Sequence, residues 1–226
     1  MTAARRAGRI IGVLMLAQMA AGMFINLVLL VPVFRTPGFL ENAAADALRV
    51  RLAVLLGIAA SASSVAIAIE AMPAFRRHSL ALAAWLLALA VVAFTLSAVE
   101  NQALMSALSL SQAYVAAGAA AGETFDALRG VVAAARNWGH FIGLMVSGTM
   151  LLVFYYGLLR CALVPRALAA LGLAAVLVML TAVTMPLFGR HVVFLMLMPL
   201  ALAQLVTALW LIARGFAERP AAPATA

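Results

Sequence analysis

The sequence predicts an all-α fold, a polytopic membrane bundle with six transmembrane helices. Hydrophobic residues make up 67% of the chain and charged residues only 10%, against about 45–50% and about 25% in soluble domains. The apolar residues form six runs of roughly 20 residues or more, each long enough to cross a bilayer, and the charges fall mostly between these runs. A soluble fold could not bury so much apolar surface.

The six predicted spans leave a cytoplasmic N-terminus at 1–8, one transmembrane domain at 9–214 and a disordered C-terminal tail at 215–226. The spans are predicted at about 9–34, 50–75, 79–106, 138–159, 167–188 and 192–213. Because the loops between spans are short, there is no room for a second folded unit, and we expect a single domain. The tail is rich in Pro and Ala, a composition that is typical of disorder at a chain end.

Two connections on one side of the membrane are predicted to carry short amphipathic helices. After span one, Pro37 and Gly38 form a turn, and residues 39–48 follow as a short helix that Asn42 is placed to cap. The connection between spans three and four is the only long one. In it, residues 111–122 are small and weakly polar, and residues 124–137 are predicted to be a helix that Thr124 caps.

The distribution of arginine predicts that both termini lie in the cytoplasm. All 15 basic residues are arginine, and they lie in ones and twos at the ends of apolar runs, as residues that set membrane topology do. With the N-terminus inside, nine arginines fall on the cytoplasmic side and six outside. A nucleic-acid-binding protein would cluster its basic residues on one face, so the expected partner is the lipid bilayer and not a nucleic acid.

Small residues at four-residue intervals indicate candidate packing faces, because helix backbones can approach closely there. Span four carries Gly139, Gly143 and Ser147 at this spacing, and span one carries Gly8 and Gly12. We expect these faces to contact neighbouring helices.

Polar residues elsewhere in the spans have simple structural interpretations. Gln18 and Gln204 lie near the middles of spans one and six, where an amide hydrogen bond between helices is expected. Glu70 lies one to two turns before Arg76 and Arg77, so we expect a salt bridge on the cytoplasmic side.

Polar groups gather toward the outer half of the predicted bundle, and such groups are costly at membrane depth. The candidate ligand-binding residues lie toward the outer ends of their spans: Asn26, Glu100, Asn101, Arg136 and His140. Arg136 and His140 are four residues apart and project from one helical face. In the functional interpretation, Glu100 pairs with Arg136 or His140 in an outward-facing pocket that binds a small ligand or passes a proton. In the alternative, these side chains only meet water and headgroups at the span ends.

No cofactor, metal site or catalytic motif is expected. Bis-histidine haem ligation needs two facing imidazoles, but His78 and His191 fall in loops on opposite sides of the membrane and leave His140 without a partner. A retinal-type Schiff base needs a lysine, and the chain has none. The single cysteine, Cys161, excludes an internal disulfide and a multi-cysteine metal site. Zinc-protease and phosphate-loop motifs are absent.

The chain resembles the DUF4386 family of bacterial six-span membrane proteins over nearly its whole length. The residues that carry the resemblance are Ala135-Arg-Asn-Trp-Gly-His-Phe-Ile-Gly-Leu-Met-Val-Ser-Gly, Phe154-Tyr-Tyr-Gly-Leu-Leu-Arg, Leu163-Val-Pro-Arg-Ala-Leu and Gly172, with Arg9-Ile-Ile-Gly-Val-Leu and Ala21-Gly22 near the start. The resemblance implies a multi-pass protein of the bacterial inner membrane without an assigned function. It implies no established cofactor or catalytic residue.

Three functions remain open for the polar cluster. The favoured one is binding of a small amphipathic or lipidic ligand without catalysis. A small-molecule transporter would have polar groups at the midplane and paired broken helices in two repeats. The sequence shows only one weak set of midplane polar groups and no evident repeat of three spans with paired broken helices. A membrane enzyme would use Glu100 and His140 as acid and base on a lipid-like substrate, which requires the two side chains to come within hydrogen-bond reach. The sequence leaves the oligomeric state open.

Overall fold

The computed structural model describes residues 2–118 and 122–217, and most of them lie in helices. Within these residues, six helical segments are long and apolar enough to cross a membrane. They are Ala3–Leu29, Ala47–Phe75, Leu80–Ala117, Glu123–Arg160, Arg166–Phe188 and Phe194–Arg214. The predicted fold class is therefore confirmed, and the chain is a multi-pass membrane protein.

The described α-helices follow one another as α1 Ala3–Phe24, α2 Val31–Phe34, α3 Phe39–Asn42, α4 Ala47–Phe75, α5 Leu80–Ala117, α6 Glu123–Arg160, α7 Arg166–Thr184 and α8 Met198–Arg214. A π-helical turn continues α1 to Leu29, and two 3₁₀ turns connect α7 to α8. In the first predicted loop, α3 is shorter than the helix expected at 39–48. Asn42 ends α3, and its Nδ2 donates to the backbone oxygen of Arg35 over 2.8 Å.

The connection between α5 and α6 is much shorter than the sequence predicts. Each of the two helices has 38 residues, because residues 106–117 contain no Pro or Gly and are rich in good helix formers. Thr124 consequently lies inside α6 and does not cap it. At 1.5 Å per residue each helix is ~57 Å long, well beyond the ~30 Å hydrocarbon layer. Glu123 and Asp126 in the first turn of α6 are exposed, as expected where a helix extends beyond the apolar layer, in which charges are costly.

The chain divides into two compact units. The first contains the described residues up to Leu16, Ala66–Ala88, and the described residues from Gly148 onward. Its core is aromatic: Phe75, Phe154, Tyr155 and Phe216 are all buried. The rings of Phe75 and Phe154 lie 6.2 Å apart between centroids. Large rings at the centre of this unit leave little free volume for any added atom.

Gly8 and Gly12 bring α1 against α8 in the first unit, as their spacing predicts. A Cβ atom at Gly8 would meet the backbone of Gly215 and Phe216, and one at Gly12 would lie 2.7 Å from the backbone oxygen of Ala208. These contacts involve main-chain atoms, so only a residue without a side chain fits at Gly8 and Gly12.

The end of the first unit is ordered where the sequence predicts the start of a disordered tail. Residues 215–217 were expected to begin a disordered tail, but Phe216 is 1% exposed and the amide of Ala217 donates to the backbone oxygen of Leu163 over 2.9 Å. A buried aromatic ring anchors the chain here, two residues after α8 ends. The rest of the predicted tail, 218–226, lies outside the described residues.

A buried hydroxyl pair links α6 to α8 in the first unit. Tyr155 Oη and Thr207 Oγ1 are 3.3 Å apart, and both residues are 0% exposed. We expect Tyr155→Phe and Thr207→Val each to lower the free energy of unfolding by about 1 kcal/mol, because each leaves the other hydroxyl unpaired. The double variant is expected to cost less than the sum of the two single variants, measured by thermal unfolding in detergent. Strict additivity would contradict an energetic coupling between the two hydroxyls.

The second unit contains Ala17–Val65 and Leu89–Ser147. Its hydrophobic core joins the first loop to α4 and α5 through buried side chains that include Leu29, Val33, Phe39, Val50 and Leu108. The first loop is also held by polar contacts. The amide of Ala44 donates to Ser111 Oγ over 2.8 Å, and Arg129 lies 3.6 Å from the Glu41 carboxylate. The loop therefore packs on the joined ends of α5 and α6.

The two mid-span glutamines differ in the hydrogen bonds that their side chains form. Gln18 Nε2 donates across to α4, to the backbone oxygen of Ala60 and to Ser64 Oγ, both over 2.7 Å. The expected interhelical amide hydrogen bond is thus confirmed for Gln18. The side chain of Gln204 forms no hydrogen bond with the described part of the chain.

Candidate functional site

A carboxylate–imidazole pair joins α5 to α6 in the second unit. Glu100 Oε1 lies 2.9 Å from His140 Nδ1. A Cβ atom at Gly139 would lie 3.7 Å from the Cα of Glu100, so the two helices run close together beside the pair. Because they are consecutive, joined by a short connection and in contact here, they are antiparallel neighbours.

The pair lies near the middle of both helices. The sequence placed Glu100 close to the end of its span, but α5 continues to Ala117. His140 was placed at the start of span four, but α6 begins at Glu123. At 1.5 Å per residue, Glu100 lies ~30 Å from the start of α5 and His140 ~30 Å from the end of α6, about the thickness of the hydrocarbon layer. The alternative in which these side chains meet water and headgroups therefore stays a prediction beside the functional one.

The Glu100–His140 pair remains accessible. The side chain of His140 is 40% exposed and that of Glu100 is 29% exposed. Since Nδ1 of His140 contacts the carboxylate, Nε2 is the ring nitrogen left for another partner. The pair can therefore exchange a proton or a hydrogen bond with a molecule that approaches from outside the protein.

Arg136 supplies a positive charge beside the pair but does not replace His140 as the partner of Glu100. Its guanidinium carbon lies 4.3 Å from the ring centroid of Phe34, a cation–π contact. The carboxylate of Glu100 attracts it at longer range. Of the two partners considered for Glu100, the hydrogen bond goes to the histidine. No pattern in the sequence indicates that Phe34 contacts Arg136.

Asn101 is a packing residue on the neighbouring face of α5. It is 9% exposed, and its Nδ2 donates to the backbone oxygen of Ser97 over 2.9 Å. A Cβ atom at Gly57 would lie 3.0 Å from Asn101 Oδ1. The amide therefore packs α5 against α4. Its side-chain hydrogen bonds involve neither Glu100 nor His140.

Asn26 also makes a local contact. Its side chain is exposed, and its Nδ2 donates to the backbone oxygen of Gly22 in the same helix over 2.9 Å. The contacts thus connect Glu100, His140 and Arg136, and place Asn26 apart from them.

The small residues of α6 do not form the continuous packing face that their spacing predicts. No atom comes within 4 Å of a Cβ placed at Gly143, and Ser147 is half-buried. Close approaches occur further along α6, where a Cβ at Gly148 would meet Leu180 and Met179 and one at Gly157 would meet the Phe75 ring. The space at Gly143 lies one turn from His140, on the side of α6 that leads away from the joined ends.

Metal binding has no support in this region. Among residues 2–118 and 122–217, no group of three His, Cys, Asp or Glu side chains is arranged to hold a metal ion. The chemistry that the site offers is acid–base and hydrogen-bonding chemistry from one carboxylate, one imidazole and one guanidinium.

Comparison with known proteins gives one match. A family model described as "Domain of unknown function (DUF4386)" matches residues 10–215. No curated protein matches the chain, and no solved structure matches it.

Proposed function

The chain belongs to the DUF4386 family, and we propose that it binds a small amphipathic or lipidic ligand beside Glu100 and His140 in the bacterial inner membrane. The observation that carries this proposal is the 2.9 Å contact between Glu100 Oε1 and His140 Nδ1 on two long apolar helices, ~30 Å along them and so near one face of the hydrocarbon layer. Ionisable side chains are rare in such helices and costly there, and they commonly serve function.

The surroundings of the pair support an amphipathic ligand. Leu96 lies one turn before Glu100 and Leu144 lies one turn after His140, and both are half-buried. Because α5 and α6 are antiparallel, these leucines lie on the same side of the pair, away from the joined ends. A polar head can hydrogen-bond to Glu100 and His140 while an apolar chain follows the leucines. The positive charge of Arg136 favours a head that carries an anionic or acceptor group.

The arginine distribution supports the proposed orientation, with both termini in the cytoplasm. In that orientation the joined ends of α5 and α6 face outward. The ligand then enters from the outer leaflet or from the space beyond it.

A membrane enzyme is the second candidate, because the same contact meets its geometric requirement. A carboxylate that holds an imidazole nitrogen is an arrangement used for general base catalysis. The distinguishing observation is the fate of the bound molecule. A binding protein retains it unchanged, whereas an enzyme converts it to a product.

We expect wild-type protein purified in mild detergent to carry a small amphipathic molecule. In Glu100→Gln and in His140→Phe, the affinity for this molecule should fall about ten- to a hundredfold. The reason is that a hydrogen bond to a charged group contributes about 1.5–3 kcal/mol. Native mass spectrometry with lipidomics of the extracted molecules measures the occupancy. His191→Phe is the matched control, since His191 is exposed in the α7–α8 connection.

Two results would overturn the proposal. One is wild-type protein without any bound small molecule. The other is equal occupancy in wild type, Glu100→Gln and His140→Phe while all three keep the same thermal unfolding midpoint.

A further inference from the structure

A separate cavity of about 420 Å³ lies in the first unit, between the first turns of α1 and the last turns of α4. Its charged lining residues are Arg6, Glu70 and Arg77, and its larger apolar lining residues are Ile10, Ile69 and Phe216. The volume is in the range of sites that hold small molecules. The cavity therefore combines an apolar wall with both signs of charge.

The charges in this cavity are not neutralised within the described protein. The expected salt bridge of Glu70 is absent, since no described ion pair includes Glu70, Arg6 or Arg77. The reason is position: Glu70 lies within α4, about one and a half turns before its end at Phe75, whereas Arg77 lies in the turn that follows the helix. Both residues line the cavity, but at different positions along the direction of α4. Two guanidinium groups and one carboxylate are thus available to a ligand.

The position of the cavity fits the headgroup layer of a membrane. Arg6 lies in the first turn of the first span, and Arg77 lies two residues after the second span ends at Phe75. Arg77 also lines an adjoining cavity of about 370 Å³ together with His78. Basic pockets between transmembrane helices are suited to phospholipid headgroups.

We propose that this cavity binds an amine-bearing phospholipid of the phosphatidylethanolamine class. The phosphate lies between Arg6 and Arg77, whose guanidinium groups match phosphate oxygens with paired hydrogen bonds. The ammonium group of the lipid lies against Glu70, and an acyl chain follows Ile10 and Ile69. A lipid without an amine would leave the Glu70 carboxylate facing its phosphate, so Glu70 is the residue that selects the headgroup.

The test titrates the full chain in detergent with dioctanoyl phosphatidylethanolamine, dioctanoyl phosphatidylglycerol and inorganic phosphate, and measures occupancy by native mass spectrometry. We expect phosphatidylethanolamine to bind about tenfold more tightly than phosphatidylglycerol, and inorganic phosphate to bind far more weakly. Arg6→Gln and Arg77→Gln should each weaken both lipids about tenfold. Glu70→Gln should weaken phosphatidylethanolamine alone and remove the preference.

Arg76→Gln is the matched control, because Arg76 is exposed next to Arg77 and does not line the cavity. Its effect should stay below about twofold. Arg77→Lys keeps the charge but not the paired hydrogen bonds, and it replaces Arg77→Gln if that variant lowers the thermal unfolding midpoint.

Three results would overturn the proposal. Equal loss in Arg76→Gln and Arg77→Gln would show that surface charge alone attracts lipid. Equal wild-type affinity for the two lipids would remove the role of Glu70. Inorganic phosphate that binds as tightly as phosphatidylethanolamine would indicate an anion site without a lipid. The site beside Glu100 is tested separately, since a molecule lost in His140→Phe and retained in Arg77→Gln belongs to that site.

Discussion

Alanine at Gly8 is expected to lower the thermal unfolding midpoint of the protein by about 10 °C. The added methyl group would meet the backbone of Gly215 and Phe216, and main-chain atoms cannot move aside as a side-chain tip can. Overpacking costs about 1–3 kcal/mol and occasionally more, and we expect the upper end here because the methyl group meets main-chain atoms. For a chain of this size 1 kcal/mol corresponds to about 2–4 °C. The measurement is the fraction of protein that stays monodisperse on size-exclusion chromatography after heating in detergent.

Gly22→Ala is the matched control within the same helix. No atom lies within 4 Å of a Cβ at Gly22, and alanine has a higher helix propensity than glycine by about 1 kcal/mol. We expect an unchanged or slightly raised midpoint. Similar losses in Gly8→Ala and Gly22→Ala would contradict a specific contact between α1 and α8.

Phe75→Ala is expected to destabilise the first unit by about 3 kcal/mol. Phe75 is 0% exposed, and its ring fills the space over Gly157 beside Phe154. Removal of a buried ring costs about 3–5 kcal/mol in soluble proteins. We expect the lower end of that range, since lipid is as apolar as the protein interior and the loss consists of packing contacts.

The control for Phe75→Ala is Phe188→Ala, because Phe188 is 78% exposed after α7. Its midpoint should change by no more than about 2 °C. A double variant Phe75→Ala with Gly157→Ala is informative as well, since the methyl group at residue 157 would enter the cavity left by the ring. If Gly157→Ala lowered the stability of the Phe75→Ala variant as much as it lowers the stability of the wild type, the contact between Phe75 and Gly157 would be disproved.

Composition and periodicity were sufficient to predict the fold class and to single out Glu100, Arg136 and His140 as candidates for a polar cluster. Six apolar runs admit few alternatives to a helical membrane protein. Glu100 and His140 were singled out because ionisable residues are rare in such runs. Their contact also follows from topology, since consecutive spans are antiparallel and bring the end of one near the start of the next. The choice between His140 and Arg136 as the partner depended on helix register, which periodicity alone does not determine.

The ends of the helices and the identity of the packing glycines could not be predicted in the same way. Residues 106–117 lack Pro and Gly, but their three serines make them weakly polar, and the contact of Ser111 with Ala44 in the first loop joins residues distant in sequence. Four-residue spacing indicated Gly143, which faces open space, and did not indicate Gly157, which faces Phe75. Spacing identifies a face of a helix, but which helix covers that face is decided by contacts distant in sequence.

The contact of Gly8 with Gly215 and Phe216 also determines when, during synthesis of the chain, the first unit can assemble. These residues lie at nearly opposite ends of the described chain, so the first helix enters the membrane long before its partner exists. At ribosomal rates of about 5–20 residues per second, the delay is on the order of ten to forty seconds. During this interval the glycine face of α1 is covered by lipid or by a transient neighbour. Assembly of the first unit is therefore a late step of biogenesis that follows synthesis of α8.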